Sequence, residues 1–98
     1  MAITAILDVK LKADALETAH QIIHATLTDT RAFPGCLGVT VLVDTDDPTH
    51  VIAVETWESP ERDQAYRAWR ASPEGRSELG SVLAAAPTLT KFTTAEGV

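Results

Sequence analysis

The chain has 98 residues, which is enough for one domain and too few for two. Hydrophobic residues make up 45% and charged residues 22%, as in folded globular proteins and unlike disordered or collagen-like chains. The net charge of −6 argues against binding to a nucleic-acid backbone or an anionic membrane, because both need a basic surface. These numbers favour a weakly polar small molecule or another protein as the partner, and a domain this small gains stability from a second subunit.

Cellular location is indicated by the cysteine and by the apolar runs. Cys36 is the only cysteine, so no internal disulfide forms and no oxidising compartment is implied. No basic stretch precedes an apolar run at the N-terminus, and no run reaches the ~18 residues of a membrane helix. We therefore expect a cytoplasmic protein, without nucleic-acid or membrane partners, made of a single domain over residues 1–98.

The first third of the chain predicts a strand, a helix and a second strand. Residues 3–12 alternate with a period of two, which is typical of a strand with one buried face. An Asp-x-x-Glu sequence at 14–17 predicts a capping box that begins an amphipathic helix, and the Pro-Gly pair at 34–35 ends it. Residues 36–43 predict a second strand, and one face of it would carry Leu37, Val39, Val41 and Val43.

The third predicted strand is apolar on both faces. Residues 44–49 have the composition of a turn, and the strand follows at 50–58. Such a strand usually lies between two covered faces of a sheet. Because one layer of helices covers only one face, we expect a second subunit to cover the other.

The rest of the chain predicts two short helices and a final strand. Ser-Pro-Glu occurs at 59–61 and again at 72–74, and it combines a capping hydroxyl with proline in the first turn. These signals predict helices at 60–71 and 73–85, before a strand at 88–95. The order is βαββαβ, which predicts a ferredoxin-like α+β fold with a four-stranded antiparallel sheet.

Metal and thiol chemistry are weakly indicated. His20 and His24 have the spacing of two ligands on a helix, but no third ligand is evident, and we interpret them as surface residues. The acidic turn at 44–47 lacks the glycine and glutamate of a calcium loop. A reactive thiol needs a helix N-terminus or a cation nearby, and neither is evident beside Cys36. We therefore interpret Cys36 as a small apolar residue. No nucleotide fingerprint occurs, so neither a nicotinamide nor a flavin is expected.

The aromatic residues are the most informative set. Trp57, Tyr66 and Trp69 lie within thirteen residues, at a strand end and on one side of the following helix. They could wall a flat pocket for a planar aromatic ligand, or they could simply form core. Glu55 shares the strand face of Trp57 and is a candidate base, with an ion-paired or solvated residue as the alternative.

Four motifs together resemble the antibiotic biosynthesis monooxygenase (ABM) domain family. They are Arg-Ala-Phe-Pro-Gly-Cys-Leu-Gly at 31–38, Asp-Asp-Pro-Thr at 46–49, Glu-Thr-Trp-Glu-Ser at 55–59 and Ala-Ser-Pro at 71–73. The resemblance covers nearly the whole chain and implies a dimeric α+β barrel with a pocket between sheet and helices. In polyketide-modifying members, dioxygen oxidises a phenolic polycycle to a quinone without metal, flavin or haem.

The resemblance also assigns site residues. The family's pocket tryptophan falls on Trp57, and Trp69 falls where members place an aromatic residue or a histidine. The asparagine of the polyketide oxygenases is replaced by Ala53, which the resemblance places in the substrate pocket. Their tyrosine is replaced by Asp63, with Tyr66 one helical turn further along.

Haem-degrading relatives are a poorer match. They carry a histidine and an asparagine where this chain has Leu79 and, approximately, Ile6. Iron would therefore lack its axial ligand, so no cofactor is expected.

The sequence thus predicts a homodimeric ABM-type monooxygenase that oxidises a planar aromatic substrate with dioxygen. Trp57 and Trp69 would hold the ring beside Ala53, Tyr66 would hydrogen-bond a ligand oxygen, and Glu55 would act as the base. The alternatives are a non-catalytic small-molecule or stress-related binding protein and, third, a haem-degrading enzyme.

Overall fold

The four strands form one antiparallel sheet with both α-helices on one face. The computed structural model describes all 98 residues. Its elements are β1 (Ile3–Lys10), α1 (Leu16–Ala32), β2 (Cys36–Asp44), β3 (Asp47–Trp57), α2 (Pro60–Ala71) and β4 (Thr88–Phe92), with short 3₁₀ turns at Ala13–Ala15, Pro73–Gly75 and Leu79–Val82. The sheet order is β2-β3-β1-β4. This is the ferredoxin-like α+β arrangement, and the predicted fold class is confirmed.

The core lies between the sheet and the helices in two clusters. One cluster contains Val9, Leu11, Ala19, Val51 and Val82. The other contains Ile3, Ala5, Trp57 and Tyr66. Alternate residues of β1 and β3 supply the sheet side of both clusters, because the side chains of a strand alternate between its faces.

The chain enters α1 differently from the sequence prediction. Asp14 lies inside the 3₁₀ turn, and the residue before the helix is Ala15, which makes no side-chain capping bond. The turn is closed by the backbone, since the Ala15 N–H donates to the Lys12 carbonyl. The capping box predicted at 14–17 is therefore wrong.

The helix predicted over 73–85 is also wrong. Two 3₁₀ turns replace it, and Gly75 lies so close to α2 that an added Cβ would be 2.0 Å from the Trp69 carbonyl oxygen. The following segment is held instead against the end of β1, because Lys12 donates to Val82 O and Ala84 donates to Lys10 O. These backbone hydrogen bonds hold residues 82–84 beside the end of β1, although the sequence there favours a helix.

Several strand boundaries and the position of one side chain differ from the prediction. The turn between β2 and β3 is shorter than 44–49, because Asp44 pairs with Asp47. β4 ends at Phe92 rather than residue 95. A register shift between Cys36 and Gly38 moves Leu37 off the face of β2 that it was predicted to share with Val39, Val41 and Val43. The Leu37 side chain is 61% exposed.

The face of the sheet opposite the helices is uncovered. By the pairing register it carries Ile6 from β1, Ile52 and Val54 from β3, Leu42 from β2 and Phe92 from β4. Leu42 and Phe92 are 49% and 48% exposed. We call these five side chains the open apolar face.

His50 lies at the end of this same face between two carboxylates. Its Nδ1 is 2.8 Å from Asp44 Oδ2 and its Nε2 is 3.0 Å from Asp8 Oδ1. Hydrogen bonds to Asp44 and then to Asp8 raise the pKa of His50 above its usual 6.5. The protonated imidazole therefore stabilises the fold fully below about pH 6.5, and this contribution disappears as pH rises through the higher pKa of the folded state.

Replacing His50 with glutamine should remove this pH dependence. We expect the wild-type free energy of unfolding to fall, relative to that of His50→Gln, as pH rises above about 6.5. Urea denaturation of both proteins at a series of pH values measures the difference. Parallel pH profiles would contradict the assignment, and His24→Gln is the control because His24 is exposed and makes no side-chain ion pair.

Candidate active site

A cavity of about 200 Å³ lies between the sheet and the two helices. Its apolar walls include Leu7, Val9, Ile23, Leu27, Val41 and Val51. Its polar groups are Thr26, Glu55, Arg67, Arg70 and Ser77. Residues of both core clusters line this central cavity, which therefore lies between the two clusters.

Ala53 lies on the floor of the central cavity. It pairs with Leu7 on one side and Val41 on the other, and all three line the space. Its methyl side chain leaves room that a larger residue would fill. The sequence prediction placed Ala53 at a ligand, and the structure places it in the cavity wall.

Glu55 is a buried carboxylate at the cavity. It is only 1% exposed, and its Oε1 accepts hydrogen bonds from Trp57 Nε1 at 3.1 Å and Arg67 Nη2 at 2.5 Å. No group of the chain donates a hydrogen bond to Oε2. Glu55 and Trp57 meet because residues two apart on a strand share a face. The carboxylate is therefore held on one oxygen and free to accept on the other.

Glu55 belongs to a charge cluster of four residues, with Asp63, Arg67 and Lys91. Asp63 is fully buried, and its Oδ1 accepts from Arg67 Nε at 3.1 Å. Lys91 Nζ lies 2.5 Å from Asp63 Oδ2. Two cations and two carboxylates balance, which removes the cost of burying an unpaired charge.

The sequence reasoning missed this charge cluster. The spacing of Asp63 and Arg67 on the predicted helix is an i,i+4 pair and was readable. Lys91 could not be found in this way, because it comes from β4 and reaches Asp63 only through sheet pairing.

Tyr66 contributes its ring to the cavity, but its hydroxyl is already bonded. Arg70 Nε donates to the hydroxyl oxygen at 2.7 Å, and Thr30 Oγ1 lies 2.6 Å away. Thr30 donates its own proton to the Thr26 carbonyl, so Tyr66 donates to Thr30. The sequence predicts that Tyr66 hydrogen-bonds a ligand oxygen; in the structure its proton is engaged within the fold.

The two tryptophans lie beside the cavity rather than in its wall. Trp57 is fully buried, and its ring is 4.8 Å from that of Tyr66. Trp69 packs on Phe33, whose ring also meets Trp57 and Tyr66. Phe33 lies between the two indoles that the sequence predicts at a ligand, and of Trp57, Tyr66 and Trp69 only Tyr66 lines the cavity.

Comparison with known proteins identifies the family. The family model described as antibiotic biosynthesis monooxygenase matches residues 2–77, which is most of the chain. The chain belongs to the ABM family. A search of curated proteins finds no match to this ABM chain.

Solved structures share the fold of this ABM protein. A mutant of SnoaB from Streptomyces nogalater, described as a cofactor-independent oxygenase, is 15% identical with a TM-score of 0.83, over 99% of this chain and 96% of its own. Rv0793 from Mycobacterium tuberculosis is 20% identical with a TM-score of 0.80, over 98% and 97%. A conserved protein from Methanosarcina mazei Go1 is 17% identical with a TM-score of 0.80, over 97% and 94%.

Other candidate groups of the ABM chain lie apart from this site. No three His, Cys, Asp or Glu side chains are grouped so that they could hold a metal ion, and His20 and His24 are exposed on α1. Leu79 lines the central cavity, so the position at which the resemblance led us to compare haem-degrading relatives holds an apolar side chain. Burial raises the pKa of the Cys36 thiol, which lowers its reactivity. None of the helices is both long and apolar enough to span a bilayer.

Proposed function

We propose that this ABM protein is a cofactor-independent monooxygenase that oxidises a planar phenolic compound with dioxygen. The observation that carries the proposal is Glu55, a buried carboxylate with one unoccupied oxygen at an apolar cavity. A base in this setting can remove a proton from a weakly acidic ligand without competition from water. The similarity in fold to SnoaB supports the same class of reaction.

The proposed reaction begins with proton transfer from the substrate hydroxyl to Glu55 Oε2. The resulting anion is electron-rich enough to reduce dioxygen at a ring carbon. One oxygen atom becomes the new carbonyl of the quinone, and the other leaves as water with the two hydrogens lost by the substrate. Apolar walls such as Leu7 and Val51 keep water away from the anion, and Tyr66 and Ala53 bound the plane of the ring.

The cavity opens to solvent between α1 and the segment that follows α2. Thr26, Arg70 and Ser77 line both the central cavity and an adjoining polar depression. The space exceeds the engineered cavities that hold a single benzene. A ligand of a few fused rings would therefore bury its reactive end and leave its other end in the opening.

Oxygen uptake tests the proposed activity directly. Chelator-treated protein, mixed under air with 1,8-dihydroxyanthrone, should consume oxygen and form quinone in equal amounts, faster than buffer alone. Haem titration of the same sample should leave the Soret band unshifted, since Leu79 offers iron no ligand. Quinone formation at the buffer rate would refute the oxygenase and favour a non-catalytic binding protein.

We further propose that the protein is a homodimer that joins through the open apolar face. Half-exposed Leu42 and Phe92 support this, since each would lose its contact with water in a face-to-face pair of sheets. Sedimentation at micromolar concentration should give twice the 10.5 kDa chain mass. A monomer under these conditions would exclude this pairing.

A further inference from the structure

Arg67 is the one cation at the central cavity that has a terminal nitrogen with no acceptor. Its Nε donates to Asp63 and its Nη2 to Glu55, but no group of the chain accepts from Nη1. The side chain is 24% exposed and lines the cavity. A guanidinium carries five N–H donors, so the Nη1 pair is free for a ligand.

Arg70, the other cation at the cavity, has at least one acceptor at each of its three nitrogens. Its Nε donates to Tyr66 and its Nη1 to the Gly75 carbonyl. Its Nη2 donates to both the Thr26 carbonyl and Thr30 Oγ1. Arg70 therefore keeps one N–H without an acceptor, whereas Arg67 keeps both N–H groups of Nη1 and can bind a ligand oxyanion without losing a bond of the fold.

We propose that Arg67 binds the ligand oxygen that Glu55 deprotonates. One phenol or enol oxygen donates its proton to Glu55 Oε2 and accepts from Arg67 Nη1, so both residues act on the same atom. This inference rests on the proposed function, and it assigns the site a ligand with an ionisable hydroxyl. Arg67 is then a catalytic residue that the sequence did not reveal.

The charge balance of the cluster explains why this step is favourable. The ligand O–H bond breaks, an O–H bond forms on Glu55, and the electron pair stays on the ligand oxygen. The charge cluster and the bound ligand together carry no net charge before the transfer and none after it, because the oxyanion replaces the Glu55 carboxylate as a partner of Arg67. Asp63 keeps the guanidinium in place throughout, and Lys91 balances Asp63.

The ionisation of a bound phenol tests this assignment without turnover. The probe is 4-nitrophenol, whose anion is yellow, titrated with the protein over a range of pH in the absence of oxygen. Wild type should hold the probe mainly as the yellow phenolate at a pH below the pKa of the free probe, because Glu55 takes its proton and the nearby cation stabilises the anion. A bound probe that stays colourless, or no binding by wild type, would overturn the proposal.

Variants separate Arg67 from other cations. Arg67→Gln should lose the preference for the phenolate, while Arg67→Lys should keep part of it. Arg62→Gln is the matched control, because Arg62 lies five residues earlier on the same helix, is half-exposed and pairs with Glu58. An unchanged preference in Arg67→Gln would refute the role of this residue.

A second pair of variants covers the case in which Arg67→Gln fails to fold. Glu55→Gln keeps Arg67 and should keep the preference for the anion, whereas Glu55→Gln/Arg67→Met removes both charges together and should lose it. Equal preferences in these two proteins would refute the proposal. Because 4-nitrophenol binding is measured without oxygen, wild type that ionises the probe but forms no quinone would refute the oxygenase alone.

Discussion

Replacing Glu55 with glutamine is expected to lower the rate of oxygenation by about a hundredfold or more. General-base catalysis contributes about 10²–10⁴ in rate, and an amide cannot accept the proton. The fold should survive, because the glutamine carbonyl has the same shape and can still accept from Trp57 Nε1 and Arg67 Nη2. Initial rates of oxygen uptake measure the loss.

Glu58→Gln is the matched control for this experiment. Glu58 lies three residues further along the chain, is half-exposed and pairs with Arg62 outside the cavity. Its replacement should leave the rate unchanged. Near wild-type turnover in Glu55→Gln, with circular dichroism showing an intact fold, would mean that the base is elsewhere.

The largest loss of stability is expected for Trp57→Ala. Trp57 has no exposed surface and packs on Tyr66 and Phe33, so its removal leaves a cavity in the second core cluster. Such a truncation costs about 3–5 kcal/mol. Glu55 also loses the indole N–H donor and keeps only Arg67 as a partner. Urea denaturation followed by circular dichroism measures the difference.

Trp57→Phe and Trp69→Ala divide this effect into its parts. The first keeps most of the packing and loses the hydrogen bond to buried Glu55, which should cost about 1–3 kcal/mol. The second removes an indole that is only partly buried, so its cost should be smaller than that of Trp57→Ala. A loss below about 1 kcal/mol in Trp57→Ala would contradict the placement of Trp57 in the core.

Where the local pattern sufficed, the elements were predictable. The alternation along residues 3–12 established β1 and its buried face, because a strand is the regular structure whose side chains alternate between two faces. Ser59 and Pro60 correctly marked the start of α2, and in the structure the Ser59 side chain accepts from the Arg62 N–H. Both signals act over a few residues and need no distant partner.

Where contacts over long sequence distances compete, the prediction failed. The segment after Pro73 carries a helix start, yet bonds from Lys12 and to Lys10 hold it along β1. The Asp14 cap failed for a similar reason, since the chain must first turn away from the sheet through a backbone-closed 3₁₀ turn. Tertiary hydrogen bonds outweigh local propensities of this size.

Sequence alone determined the fold class, the pairing of Glu55 with Trp57 on one strand face and the gathering of aromatic side chains near it. Only the tertiary structure decided which of these groups reaches the cavity. Phe33, which directly follows α1, fills the space between the indoles. Thr30 accepts the hydrogen bond that the Tyr66 hydroxyl donates. Arg67 is a candidate ligand-binding residue because its Nη1 has no acceptor within the fold, which only the packed structure shows. Hydrogen-bond saturation depends on partners from several elements, and no local spacing encodes it.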